Sequence, residues 1–226
     1  MTACVVRQAH HEENFYATKT YLILSLSKDA RWTCEAALWQ TALMLTEIHE
    51  GPGRPLIRLA YATANNLTNK PIYTRSACFL QVEAAAALDR AQAAARAIGL
   101  TLIVYDAFRP TEAQWVLWHH LPDPTFIADP RAGSTHGRGI AVDLTLGTPD
   151  GVPLDMGTGF DDMTQSSFHN APVPLEARRN RLILLGLMTQ AGFEHIESEW
   201  WHYNLPAAER YPLLTDAAAG TRLMAR

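Results

Sequence analysis

An α+β domain built on a small antiparallel sheet flanked by helices is the fold class this sequence predicts, and three observations lead to it. Helical and strand-like segments are mixed without the regular strand–helix–strand alternation that makes a parallel sheet. Two strand-like segments, Gly139 to Leu146 and Phe193 to Tyr203, carry Asp143, Glu199 and His202 and must lie beside each other for these to meet. At 226 residues, 48% hydrophobic and 19% charged, the chain is long enough to bury a real core and polar enough to stay in water.

Taken in order, residues 1–30 are a poorly specified extension. Thr33 to Ile48, with Ala36, Ala37, Leu38, Ala42, Leu43 and Leu45, reads as a helix stopped by Gly51-Pro-Gly53. Ile57 to Tyr61 alternates as a short strand, and Thr63 to Lys70 is a polar loop closed by Pro71. Gln81 to Ile98 is alanine-rich, with Ala84, Leu88, Ala91, Ala95 and Ile98 on one face and Gly99 as a stop, which predicts a helix. Leu100 to Tyr105 follows as a buried strand, and Thr111 to Leu121 as a second helix just after Pro110. In the strand Gly139 to Leu146, Ala141 and Asp143 share one face and Ile140, Val142 and Leu144 the other. Gly147 to Asn170 is a long loop, of the kind that is usually functional in a compact domain. Pro174 to Ala191 is helical, stopped by Gly192, and Phe193 to Tyr203 supplies one or two last strands.

The formal net charge of −4 gives no electrostatic footprint for nucleic acid. No apolar run approaches the roughly 20 residues that cross a bilayer, and Tyr21 to Leu26 lacks the basic start and length of a secretory signal, so the expectation is a cytoplasmic protein, with the periplasm as the other possibility. Three cysteines, Cys4, Cys34 and Cys78, show no CxxC spacing and are read as inert thiols.

The chemistry lies in imidazoles and carboxylates. Ser134-Thr-His136-Gly-Arg-Gly-Ile-Ala-Val-Asp143 is followed, 56 residues after Asp143, by Glu199-Trp-Trp-His202. His136, Asp143 and His202 are a three-ligand set suited to zinc, one ion per chain, with Glu199 as a base beside it. Glu199 and His202 are an odd number of residues apart, so a regular strand would send them to opposite faces. Their convergence requires irregular backbone around Trp200-Trp201. His10 and His11 lie in the extension, His119 and His120 point about 100° apart on a helix, and His49 and His195 are isolated. His169 is a candidate for the surroundings of the site. No HExxH motif is present.

The spacing Ser134-x-His136-x-x-Gly139-x-Ala141-x-Asp143 with Glu199-Trp-Trp-His202 resembles the VanX-type D-alanyl-D-alanine dipeptidases, zinc peptidases related to the D,D-carboxypeptidases of peptidoglycan metabolism. Tyr61 to Pro71, Tyr105-Asp-Ala-Phe-Arg-Pro110 and Met156-Gly-x-x-Phe-Asp161 resemble further segments of that family in the same order, from about residue 45 to 205. The resemblance implies His136, Asp143 and His202 as zinc ligands, Glu199 as general base and Arg109 as stabiliser of the oxyanion. It also implies Ser134 and Asp161 as the groups that receive the ammonium of a small D,D-dipeptide substrate. The first 40 residues have no counterpart, which divides the chain into an extension, 1–40, and a dipeptidase domain, 41–226. Two rival readings stay open at this point: a carboxypeptidase or endopeptidase acting on longer peptidoglycan stems, and a non-catalytic zinc-stabilised domain that binds cell-wall peptides. A closed pocket around the 147–170 loop favours the dipeptide, an open groove the stem.

Overall fold

The computed structural model describes residues 45–225. Strands β1 (Leu45–Ile48) and β3 (Cys78–Gln81) form a two-stranded antiparallel sheet. The main sheet has five strands in the order β2 (Leu56–Ile57), β4 (Thr101–Asp106), β5 (Ala141–Gly147), β7 (Glu199–Asn204) and β6 (Glu194–Ile196). Its pairings are antiparallel except at the edge, where β2 runs parallel to β4. Four α-helices complete the described residues: α1 (Val82–Ala97), α2 (Thr111–His120), α3 (Leu175–Gln190) and the short α4 (Asp216–Ala219). The fold is thus α+β, as expected.

Helix α1 forms because alanine loses no side-chain entropy on entering a helix, and its stripe Ala84, Leu88, Ala91 and Ala95 is fully buried. Its end is a Schellman motif: Gly99 takes φ +75°, its N–H donates to Arg96 O, and Leu100 N–H donates to Ala95 O. That geometry turns Ile98 outward to 56% exposure, so Ile98 does not belong to the buried stripe. Helices α1 and α3 pack on one face of the sheet, where Leu88, Leu102, Val142, Leu144 and Leu184 are completely buried, each contributing about 1.5–3 kcal/mol. A second cluster around Tyr61, Phe108, Ala113 and Leu117 gathers against α2.

Three expectations change. Residues 45–48, read as the end of a helix from Thr33, form β1, because their backbone pairs with Cys78–Gln81; the rest of that segment lies outside the described residues, as do His10, His11, Cys4 and Cys34. The strand expected at Ile57 to Tyr61 is only β2, after which Ala60–Ala62 turns as a 3-10 helix and carries the Tyr61 side chain inward. His169 packs against His195, ring centroids 4.9 Å apart, and does not line the cavity described below. Cys78 is a buried free thiol.

The long loop is held down by α3. Arg181, 1% exposed, reaches out of the helix and donates from Nε to Met156 O (2.7 Å), from Nη1 to Phe168 O (2.7 Å) and from Nη2 to Ser166 O (2.9 Å). Asn180 Nδ2 adds a bond to Asp155 O (2.8 Å), and Trp200 Nε1 donates to Thr158 Oγ1 (2.7 Å).

Candidate metal centre and the cavity around it

Three donor atoms meet inside the domain. His136 opens a 3-10 turn (His136–Arg138) that Gly139 ends at φ +71°, where an added Cβ would lie 2.4 Å from Leu45 Cδ2. Asp143 lies on β5 and is paired directly with His202 on β7. His136 Nε2 is 3.0 Å from His202 Nδ1 and 3.2 Å from Asp143 Oδ1, and His202 Nδ1 is 3.1 Å from Asp143 Oδ1. A tetrahedral ion with ligand bonds of about 2.0 Å needs donor atoms about 3.3 Å apart, so this triangle fits one with almost no movement.

The other ring nitrogens fix the tautomers. His136 Nδ1 donates to Ala107 O (2.7 Å), which leaves Nε2 with its lone pair. His202 Nε2 lies 3.3 Å from Asn204 Oδ1 and 3.4 Å from Thr135 Oγ1, which leaves Nδ1 as the donor. Burial opposes ionisation of Asp143, but the two imidazoles and their hydrogen bonds overcome it and hold its carboxyl well below the usual range. Among the described residues, His136, Asp143 and His202 are the one such group that could hold a metal ion.

All seven candidate residues line one cavity of about 240 Å³: Arg109, Ser134, His136, Asp143, Asp161, Glu199 and His202. Glu199 and His202 converge because β7 is irregular. His195 and Ile196, adjacent on β6, pair with Tyr203 and Glu199, four residues apart on β7. Glu199 is buried and burial pushes its carboxyl up to about 8.

Arg109 is 6% exposed and gripped on three sides: Nε donates to Asp106 Oδ2 (2.8 Å), Nη1 to Gln114 Oε1 (3.1 Å) and Nη2 to Asp143 Oδ2 (3.2 Å). Its guanidinium carbon lies 5.0 Å from the Tyr61 ring centroid. A guanidinium has five N–H groups, so one remains on each Nη for a ligand. Asp161 takes a left-handed φ of +62°, uncommon for a residue with a Cβ, and its carboxylate is held by Tyr61 OH on Oδ1 and Leu67 N–H on Oδ2, both 2.9 Å. Burial raises it to about 6. Ser134 Oγ accepts the His136 N–H (3.2 Å), so it organises the His136 turn as well as facing the cavity.

Sequence reasoning missed several contributors. Asp106 and Gln114 hold Arg109, and the segment Pro124 to Ala128 forms a wall of the cavity, tied down by Gln114 Nε2 to Ala128 O (2.8 Å). Three prolines at 122, 124 and 130 were the available signal of a rigid connection there. A larger, more open groove of about 940 Å³ shares Asp161 with this cavity but none of the other six residues, and so has little of the chemistry.

Such a triangle, in one cavity with a buried carboxyl and a buried guanidinium, could hold a metal ion with a base and a cation beside it. Residues 53–217 match the model of the peptidase M15 family, described as D-ala-D-ala dipeptidase, and the chain belongs to that family. It is 49% identical over 161 residues to a D-alanyl-D-alanine dipeptidase of Escherichia coli, covering 71% of this chain and 83% of that protein. It is 32% identical over 174 residues to a D-alanyl-D-alanine dipeptidase of Enterococcus faecalis, covering 67% and 86%. Among solved structures, a vancomycin-resistance D,D-pentapeptidase in complex with zinc aligns at a TM-score of 0.40 and 18% identity, covering 58% of this chain and 75% of that one. Among the described residues no helix is long and apolar enough to cross a membrane.

Proposed function

We propose that residues 41–226 form a zinc-dependent dipeptidase that hydrolyses D-Ala-D-Ala, with His136 Nε2, Asp143 Oδ1 and His202 Nδ1 as the zinc ligands. The observation that carries this reading is the triangle of donor atoms 3.0–3.2 Å apart, set in one small cavity with Glu199 and Arg109. When bound, zinc supplies Lewis acidity towards the scissile carbonyl and a water whose pKa falls towards about 7.

The chain's own residues do the rest. Glu199 is the general base: its carboxylate takes the proton of the attacking water and passes it to the nitrogen of the leaving amine. A carboxyl that burial lifts to about 8 holds a proton readily, and a cation beside it lowers that value, which brings both protonation states within reach near neutrality. Arg109 directs its two remaining Nη–H groups at the carbonyl oxygen as negative charge builds there, and its buried contacts hold it in place beforehand. Asp161 and Ser134 receive the substrate's ammonium, and the ammonium in turn favours the ionised form of Asp161.

The size of the cavity supports a dipeptide over a longer stem. About 240 Å³ lies below the roughly 300–1,000 Å³ of sites for drug-sized ligands, and the ammonium-binding carboxylate sits in its wall. The test compares D-Ala-D-Ala with a pentapeptide ending in D-Ala-D-Ala on the zinc-loaded protein. The expected result is efficient cleavage of the dipeptide and poor cleavage of the pentapeptide; equal kcat/KM values would replace this reading with a carboxypeptidase.

A further inference from the structure

We infer that Asp106 is a positioning residue of this site, which holds Arg109 by its Nε and so keeps that guanidinium from closing on the metal-binding carboxylate of Asp143. The inference rests on the roles proposed above for Arg109 and Asp143.

The local backbone singles out Asp106. On β4 and β5, Val104 pairs with Leu144 and Asp106 with Asp143, so two steps on one strand match one step on the other. Tyr105 is the extra residue of a β-bulge, and it shifts the phase of the strand. In a regular strand, Asp106 would share the face of Val104, two positions before it, which packs in the hydrophobic core. With the bulge, Asp106 lies beside Asp143 on the face of the site.

The result is two carboxylates next to each other in the interior, 0% and 2% exposed, an arrangement that is unfavourable unless both are satisfied. Asp106 accepts Tyr73 OH on Oδ1 (2.8 Å) and Arg109 Nε on Oδ2 (2.8 Å). Arg109 then reaches Asp143 Oδ2 with Nη2 alone, at 3.2 Å, while Asp143 Oδ1 faces the two imidazoles. Asp106 Oδ2 lies 3.6 Å from His136 Nδ1, beyond a hydrogen bond, and the Ala107 carbonyl is the partner there. The influence of Asp106 therefore runs through Arg109.

Removing the charge of Asp106 leaves Asp143 as the carboxylate in direct ion-pair contact with Arg109 among the described residues. A guanidinium prefers two parallel hydrogen bonds to a carboxylate. Turning to make them would take both Nη groups from the cavity and draw Asp143 Oδ1 out of the triangle. Two losses follow together, one in kcat and one in metal affinity.

The test uses the full chain with Asp106→Asn, Arg109→Ala and the double variant, and measures kcat, KM and zinc affinity by competition with a chelator. Partners of this kind around metal ligands change affinity or activity by about 10–100-fold. Asp106→Asn is expected to lower kcat and zinc affinity each within that range, with KM little changed, and to cost at most a few-fold more in the Arg109→Ala background. A kcat and zinc affinity left intact while only thermal stability falls would overturn the inference, as would an undiminished loss in the Arg109→Ala background. Should Asp106→Asn fail to fold, Tyr73→Phe removes one hydrogen bond from Asp106 and is expected to lower kcat and zinc affinity in the same direction; no effect on either would count against the inference. If Arg109→Ala itself leaves kcat intact, the proposed role of Arg109 has failed, an outcome distinct from failure of Asp106 alone.

Discussion

Replacing Arg181 by methionine keeps the apolar stem inside α3 but removes the fork that holds the 147–170 loop. Three hydrogen bonds from a charged group are lost, to the carbonyls of Met156, Ser166 and Phe168. At about 1.5–3 kcal/mol each their simple sum overshoots, because the cost of burying the cation is recovered when the cation goes. Ser166 is an exposed residue and Phe168 is only half-buried, so water can replace those two partners. Met156 is 2% exposed, which makes its carbonyl the hardest to satisfy again. The net expectation is a destabilisation of about 2–4 kcal/mol, read from urea unfolding. Asp161 lies between these anchors along the chain, and its carboxylate is bonded by Tyr61 OH and Leu67 N–H, neither of them on α3. The KM for D-Ala-D-Ala is therefore expected to rise about tenfold, equivalent to one charge-assisted contact weakened by about 1.4 kcal/mol. Zinc affinity is expected to stay the same, since the proposed ligands belong to β5, β7 and the His136 turn. A stability loss below about 1 kcal/mol with an unchanged KM would show that the loop holds itself, and the positioning argument would fall.

Glu199→Gln is expected to retain zinc and lose about 10²–10⁴-fold in kcat, because an amide cannot take the water proton. In the metal-free protein, a carboxyl raised to about 8 carries a stability penalty that is absent below about 4.5, grows as pH rises and is complete above 8. The same variant should therefore match the parent in urea unfolding at pH 4.5 and exceed it at pH 9, by on the order of 2–4 kcal/mol; equal stability at both pH values would place Glu199 in water. Asp161→Ala is expected to impair cleavage of D-Ala-D-Ala far more than that of N-acetyl-D-Ala-D-Ala, since only the free amine offers Asp161 a charge-assisted hydrogen bond worth about 1.5–3 kcal/mol. Equal impairment of both substrates would remove Asp161 from amine recognition.

Much of this architecture was legible in the residues. The helix at 82–97 follows from an alanine-rich stripe and a terminal glycine, both local signals, and the irregular β7 from the odd spacing of Glu199 and His202 once the two were asked to converge. Residues 45–48 were misread because strand pairing is non-local: their partners lie 30 to 36 positions away, and the apolar spacing before them matches a helix equally well. The bulge at Tyr105 left no trace in the hydrophobic pattern, so Asp106 stood only as a member of the Tyr105 to Pro110 segment and not as the group that grips Arg109. The role of Arg181 has no local signal, because nothing in its neighbours along the chain reveals that three carbonyls of the 147–170 loop converge on it.

The central claim is that one zinc ion on His136, Asp143 and His202 makes this chain a dipeptidase. Its most direct test is a titration of the chelator-stripped protein with zinc while the hydrolysis of D-Ala-D-Ala is followed. Activity should be absent at the start, rise linearly and level off at one zinc per chain, and the variant His202→Ala should show no such rise. Full hydrolysis by the stripped protein, a plateau at another stoichiometry, or an unaltered titration of His202→Ala would contradict it.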